Sequence, residues 1–118
     1  MTPADALPAP GSIILMDFSP VLGTEQGGQR PALVVSEREM HEMTRRAIVC
    51  PITRNTQPWP TKVFLPPGLA AEGAVLVDQV RSVDRGERIL RQLGQAPDGV
   101  LLEVRRKLAA LLGIETTG

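Results

Sequence analysis

The sequence predicts a mainly β domain with α structure, in the α+β class: a small, strongly bent antiparallel sheet with one C-terminal helix. Several short apolar runs are separated by glycine, proline and polar residues, as is typical of strands joined by turns. One late segment repeats leucine and valine at steps of three and four residues, which indicates an amphipathic helix. A chain of 118 residues is long enough for one core but not for two.

The strands are predicted in order from the apolar runs. Residues 1–10 are rich in alanine and proline without periodicity, so we expect a poorly ordered lead-in to a single domain of residues 11–118. The strands follow at 12–18, 32–36, 47–52, 61–65 and 74–83. The pattern of residues 88–93 fits a strand and a helix equally well.

Two helices are predicted from local signals. Ser36 and Glu39 have the spacing of a capping box, which predicts a short polar helix that ends near Met43. The final helix begins near Asp98, and its apolar stripe is formed by Leu101, Val104, Leu108, Leu111 and Leu112. Gly113 is placed to end this helix in the left-handed conformation.

Charge limits the kind of ligand that the chain can bind. Thirteen basic and thirteen acidic residues give a formal net charge of zero, which argues against binding of nucleic acid by overall charge. A nucleic-acid site must therefore be local. From residue 25 to residue 62 there is only a weak basic excess, with Arg30, Arg38, Arg45, Arg46, Arg54 and Lys62 against Glu25, Glu37, Glu39 and Glu42.

The single Cys50 and the single His41 exclude an intramolecular disulfide and a Cys/His metal site. Cys50 lies in an apolar run and is expected to be a buried thiol, whereas His41 lies on the charged helix and is expected to be solvated. No signal sequence is found, and no apolar run approaches the roughly 18 residues of a membrane span. We therefore expect a cytoplasmic protein without a cofactor.

A long glycine-rich loop is the main candidate for a functional site. It runs from Phe18 to Arg30, whereas most connections have about 4 to 6 residues. It carries Thr24, Glu25, Gln26 and Gly28. Its glycines allow close approach to a ligand, and the apolar strand that follows Pro31 holds Arg30 in place.

The residues from Gly23 to Val34 follow the pattern G-[ST]-E-Q-x-G-x-R-P-x-[LV]-V, which resembles the MazF/PemK ribonuclease toxins of bacterial toxin–antitoxin pairs. Further matches are DFSP at 17–20, CPIT at 50–53 and DQVRS at 78–82, so the resemblance covers residues 11–113. It implies an SH3-like, CcdB/MazF-type small barrel, a homodimer, and a cognate antitoxin whose extended acidic segment blocks the cleft. It also favours a strand at residues 88–93.

The expected reaction uses side chains that the loops supply. The 2'-hydroxyl of RNA can attack the adjacent phosphorus and leave a 2',3'-cyclic phosphate and a 5'-hydroxyl, with no metal ion. The guanidinium of Arg30 suits the charge that develops on the phosphoryl oxygens, and the Thr53 hydroxyl can donate a further bond. The family match makes Arg30 and Thr53 the catalytic pair. Glu25 is either a general base or an ion-pair partner that stiffens the loop.

Several polar residues are expected to contact RNA. Trp59 either stacks on a base or packs between its two neighbouring prolines, and Gln79 matches the D-Q pair of the family. Arg81 is expected to balance Asp78, and Gln29 stands where the family often has histidine. The expected RNA contacts are Thr24, Gln26, Gly28, Arg54, Asn55, Trp59 and Gln79.

The sequence thus predicts a metal-independent endoribonuclease toxin that cuts single-stranded RNA at a short recognition sequence. Two alternatives remain: a toxin of the same fold that poisons DNA gyrase, and an SH3-like binding module without catalysis. Neither alternative needs Arg30 or Thr53, so RNA cleavage that depends on both residues separates the three.

Overall fold

The computed structural model describes residues 7–18, 23 and 28–115. Its strands are β1 (Ser12–Asp17), β2 (Gln29–Val34), β3 (Arg46–Thr53), β4 (Lys62–Phe64), β5 (Ala74–Leu76), β6 (Arg81–Asp84) and β7 (Ile89–Gln95). Its helices are α1 (Arg38–Met43), α2 (Arg85–Arg88) and α3 (Asp98–Leu112), with a 3-10 turn at Val77–Gln79.

All the described strand pairs are antiparallel and form one sheet of seven strands in the order β4-β5-β3-β2-β1-β7, with β6 also paired to β3. Strand β3 is the hub, because it pairs with β2 along one edge and with β6 and then β5 along the other. The α+β antiparallel class is confirmed. The expected closed barrel is corrected to an open sheet, since no described pairing joins β4 to β7.

Alternation along the strands divides the buried side chains into two cores on opposite faces of the sheet. The helix-side core packs under α3 and includes Ile13, Leu33, Cys50, Ile52, Val100 and Val104. The second core lies on the face away from α3, called the open side below, and includes Ile14, Met16, Phe18, Ala32, Val34, Ala47, Val49 and Val83. Even-numbered residues of β2 and odd-numbered residues of β3 therefore face the open side.

The predictions for Ser36 and His41 were wrong. Helix α1 begins after Glu37, and no side-chain hydrogen bond caps it. The Ser36 Oγ instead accepts the Ile48 N–H at 2.9 Å and lies 2.6 Å from His41 Nε2. The His41 side chain is fully buried rather than solvated. The His41 Nδ1 lies 2.8 Å from the Pro8 carbonyl oxygen and must donate to it. This network fixes residues at the end of the N-terminal segment to α1.

The later elements were predicted with mixed success. Helix α3 is confirmed, and Gly113 ends it with a φ of 71°, although Leu111 and Leu112 of the predicted apolar stripe are 50% and 62% exposed. The strand favoured by the family resemblance at 88–93 is confirmed as β7, which begins at Ile89. The single strand predicted at 74–83 is wrong, because the 3-10 turn separates β5 from β6. No helix among the described residues has the length and apolarity to cross a membrane.

Candidate active site at the end of strands β2 and β3

Arg30 lies at the start of β2, directly after the long loop. It pairs with Met16 of β1, and its neighbour Gln29 pairs with Asp17. The backbone N–H of Phe18 donates to the Gly28 carbonyl at 2.9 Å, which joins the two ends of the loop. Gly28 has a φ of 72°, a conformation that residues with a Cβ rarely adopt. The backbone that carries the half-buried Arg30 side chain is therefore fixed by the sheet.

Strand register directs Arg30 and Thr53 to the same face and the same end of the sheet. The described pairs of β2 and β3 are Val34 with Val49, Leu33 with Cys50 and Ala32 with Pro51. Continuing by two residues places position 31 opposite 52 and position 30 opposite 53. Both side chains then lie on the open side of the sheet, at the same end. The described β2–β3 pairs end at Ala32 and Pro51, and by alternation both side chains point from one face at the same end of the sheet, where one ligand can contact both.

The Thr53 hydroxyl has one defined partner in the backbone. Thr53 is 5% exposed, and its Oγ1 accepts the Asn55 N–H at 3.1 Å. Because the hydroxyl accepts this bond, its own hydrogen is available for donation to a ligand oxygen. The backbone of Gly73 packs against Thr53 from the other edge of β3: a Cβ at position 73 would lie 1.9 Å from the Thr53 carbonyl oxygen. Only glycine permits this close approach, which holds the end of β3.

The loop of residues 54–60 follows Thr53 and is held by its own polar groups. The Asn55 Oδ1 accepts the Gln57 N–H at 3.0 Å, which is an Asx turn. Arg54, Asn55 and Trp59 are exposed, and Trp59 is 61% exposed. The packing alternative for Trp59 is therefore not supported. Three of the predicted RNA contacts lie together on this loop beside Thr53.

Gln79 ends the 3-10 turn between β5 and β6 and is half-buried. Strand β3 changes its partner at this point, since Val49 pairs with Arg81 of β6 and Ile52 pairs with Val75 of β5. The turn thus places Gln79 beside the part of β3 between Val49 and Ile52.

The prediction that Arg81 balances Asp78 was wrong. Ion pairs among the described residues include Arg45 with Asp84 and Arg105 with Glu37, but none joins Arg81 to Asp78. The Arg81 guanidinium carbon instead lies 5.7 Å from the centre of the Phe18 ring, a cation–π contact. Since Arg81 pairs with Val49, it faces the open side, as Arg30 does.

Three predicted site residues, Thr24, Glu25 and Gln26, lie outside the described residues. The role of Glu25 therefore stays a prediction. Within the described residues, no group of three or more His, Cys, Asp and Glu side chains is arranged to hold a metal ion. Cys50 is buried as predicted, and burial, with a smaller effect of the Asp78 charge, raises its pKa to about 12. This thiol is therefore a core group rather than a nucleophile.

Sequence reasoning missed the role of Lys62, which it counted only as part of a basic excess. The Lys62 Nζ lies 2.8 Å from the carbonyl oxygens of both Asn55 and Gln57. No sequence signal pointed to this contact, because it depends on how the 54–60 loop folds back on β4.

Comparisons with known proteins agree with this geometry. The model of the family described as "PemK-like, MazF-like toxin of type II toxin-antitoxin system" matches residues 9–112. The endoribonuclease toxin MazF of Escherichia coli (strain K12) is 32% identical over 107 residues, which cover 91% of this chain and 96% of the relative. A crystal structure of MazF from Deinococcus radiodurans superposes with a TM-score of 0.86 at 43% identity and covers 93% of this chain and 100% of that one. A MazE–MazF structure from the same organism gives a TM-score of 0.81 at 42% identity, with 94% and 100% covered.

Proposed function

The chain belongs to the PemK-like, MazF-like toxins of type II toxin–antitoxin systems, and we propose that it is a sequence-specific, metal-independent endoribonuclease that cuts single-stranded RNA. Relatives that are 30% to 32% identical to this chain are endoribonucleases, including MazF and PemK of Escherichia coli and EndoA of Bacillus subtilis. The observation that carries the proposal is the register of β2 and β3, which, continued two residues beyond the Ala32–Pro51 pair, directs Arg30 and Thr53 to one face at the same end of the sheet.

The proposed reaction is an internal transesterification. The 2'-oxygen of the ribose attacks the adjacent phosphorus while its proton leaves, a new P–O2' bond forms, and the P–O5' bond breaks. The leaving oxygen takes a proton from water and becomes the 5'-hydroxyl, while the other product ends in a 2',3'-cyclic phosphate. RNA supplies its own nucleophile, so the protein needs to orient the phosphate and stabilise charge.

Arg30 and Thr53 have complementary roles in this reaction. The Arg30 guanidinium donates to the non-bridging phosphoryl oxygens as their charge increases. The Thr53 Oγ1 accepts the Asn55 N–H, which leaves its own hydrogen to donate to a phosphoryl oxygen in the proposed reaction. Arginine is a poor base because its pKa exceeds about 12, and Glu25 is the proposed group that takes the 2'-hydroxyl proton.

Recognition of RNA is assigned to the residues around this pair. Trp59 offers an exposed aromatic face for a base, and Arg54 and Asn55 offer donors on the same loop. Gln79 lies at the neighbouring edge of β3. Thr24, Gln26 and Gly28 complete the proposed contacts from the glycine-rich loop. Because the chain is neutral overall, we expect it to bind few phosphates. The slope of log affinity against log salt should therefore be shallow, at about 0.7 for each phosphate bound.

The proposed assembly is a homodimer that a cognate antitoxin silences in the cytoplasm, where the RNA substrate is. A MazE–MazF structure from Deinococcus radiodurans, at 42% identity over nearly the whole chain, supports an antitoxin partner. An extended acidic segment of that partner is expected to cover the cleft that contains Arg30 and Thr53 and so compete with RNA.

One assay tests the proposed function. Purified protein is incubated with a long unstructured RNA in excess EDTA, and the new ends are mapped and tested for 5'-hydroxyl groups. Discrete cuts are expected that disappear in Arg30→Ala and Thr53→Ala. Arg91→Ala is the matched control, since Arg91 is an exposed strand arginine on β7. Intact RNA with the unaltered protein, or equal loss in the control, contradicts the proposal.

A further inference from the structure

The chain contains only two lysines, Lys62 and Lys107, and both donate to backbone carbonyls of the same loop. The Lys62 ammonium bonds the carbonyl oxygens of Asn55 and Gln57, each at 2.8 Å. The Lys107 ammonium, on α3, bonds the Pro60 carbonyl oxygen at 3.0 Å. The 54–60 loop is therefore held near its start by a cation from β4 and at its end by a cation from the helix.

The hydrogen bonds at Lys62 connect to Thr53. The Thr53 Oγ1 accepts the Asn55 N–H, and the Asn55 Oδ1 accepts the Gln57 N–H. These two successive turns use the N–H groups of Asn55 and Gln57 and leave their carbonyl oxygens for the Lys62 ammonium. An ammonium is a compact cation with three donors, and its bonds are about twice as strong as neutral ones.

We propose that Lys62 is a positioning residue for RNA cleavage. Its ammonium fixes the 54–60 loop so that the Asn55 N–H orients the Thr53 hydroxyl toward the phosphate and Trp59 is held against the RNA. Lys107 anchors the far end of the same loop. The inference rests on the proposed function, since it specifies how the catalytic hydroxyl and the RNA contacts of that site are held.

The competing role for a lysine beside an RNA-binding loop is direct contact with a phosphate. The geometry is against it, because two of the three Lys62 donors are already used by carbonyl oxygens and the side chain is half-buried. The two roles differ in salt dependence. Loss of a direct phosphate contact lowers the slope of log affinity against log salt by about 0.7, whereas loss of a positioning residue leaves it unchanged.

The first test needs no RNA. Trp59 is the only tryptophan and the chain has no tyrosine, so intrinsic fluorescence reports this loop alone. In Lys62→Met, which keeps an unbranched stem without the charge, we expect lower Trp59 anisotropy and about twofold greater quenching by acrylamide. Lys107→Met should give a smaller change. Arg106→Met, which removes a neighbouring exposed charge on α3, should give none. Unchanged fluorescence in Lys62→Met overturns the proposal.

The second test measures cleavage of an RNA with one cut site. Lys62→Met is expected to lower kcat/KM about tenfold, since small misplacements of catalytic groups have effects of this order or larger, while the salt slope of RNA binding stays as in the unaltered protein. Lys62→Arg, which keeps a cationic donor, should recover part of the loss and serves as the second variant if Lys62→Met does not fold. A slope reduced by about 0.7, or full activity without the ammonium, refutes the positioning role. If the unaltered protein cuts no RNA, the proposed function fails, while the fluorescence result still decides how the loop is held.

Discussion

Replacing Thr53 by valine is the sharpest test of the site, because it removes a hydroxyl and changes little else. Valine keeps the branched shape and the strand preference of threonine at the end of β3. Two hydrogen bonds are lost: the bond that Thr53 accepts from the Asn55 N–H at 3.1 Å, and the bond proposed from its hydroxyl to the phosphoryl oxygen.

These two losses act on different quantities. Removing one donor that stabilises developing charge typically lowers a rate by about 10² to 10³, or about 3 to 4 kcal/mol of activation free energy. The structural hydrogen bond contributes only about 0.5 to 1.5 kcal/mol to the free energy of unfolding, and Asn55 is exposed, so water can replace part of it. Thr53→Val is therefore expected to lose most of its cleavage rate and little of its stability.

The assay is single-turnover cleavage of a short RNA, with thermal unfolding measured in parallel. Thr53→Ser restores the hydroxyl donor whose loss is expected to lower the rate by about 10² to 10³, so its activity should lie within about tenfold of that of the unaltered protein. Thr61→Val is the matched control, because the Thr61 Oγ1 is buried without a hydrogen-bond partner among the described residues. The reasoning is refuted if Thr53→Val cleaves within about threefold of the unaltered protein, since one lost donor should lower the rate far more, or if Thr61→Val lowers the rate equally.

Three further outcomes are expected. Arg30→Lys keeps the charge but loses bidentate geometry, so the rate in steady-state kinetics should fall by about 10 to 100-fold. Ser36→Ala leaves the Ile48 N–H and His41 Nε2 without their partner, so thermal unfolding should show a loss of about 1 to 3 kcal/mol with cleavage retained. The Cys50 pKa is raised from 9.0 to about 12 in the folded protein. Above pH 9.0 the thiol of the unfolded chain loses its proton first, so the free energy of unfolding should decrease as the pH rises from 9.0 to about 12. Denaturant titrations against pH should show a smaller decrease in Cys50→Ala.

The sequence was sufficient for the elements whose pattern is local. The three- and four-residue steps of α3 and the apolar runs of β1 and β3 predicted the right elements at nearly the right bounds, whereas β2 was predicted at 32–36 and spans Gln29–Val34, so that it includes Arg30. Residues 74–83 were wrongly predicted as one strand because Val75 and Val77 are spaced as in a strand and the apolar Val80 follows, although Val77 lies in a 3-10 turn. The spacing of apolar residues along the sequence does not show where β3 changes its hydrogen-bonded partner from β6 to β5.

The parts of the site that the sequence could not predict depend on contacts between distant residues. The motif indicated Arg30 and Thr53 separately, but only the register of β2 with β3 directs both side chains to one face at the same end of the sheet. His41 seemed exposed because its helix is polar, yet its imidazole is enclosed by Ser36 and by Pro8, which is 33 residues away in the chain. The N-terminal segment that carries Pro8 has no periodicity, so its contact could not be inferred from pattern.

The distribution of cationic side chains explains how a neutral chain can act on RNA. Many cations that the sequence counts as basic surface are bound to the protein's own carbonyl oxygens: Arg46 to Ser82, Arg85 to His41 and Thr44, Arg105 to Val35, Lys62 to Asn55 and Gln57, and Lys107 to Pro60. These hydrogen bonds hold the backbone of the segments that they join, including the 54–60 loop. On the open side, β2 carries Arg30 toward the same end of the sheet as Thr53, and β6 carries Arg81 opposite Val49. Selectivity in such a site depends on a few positioned contacts rather than on long-range attraction, so changes in loop geometry should affect cleavage more than changes in net charge.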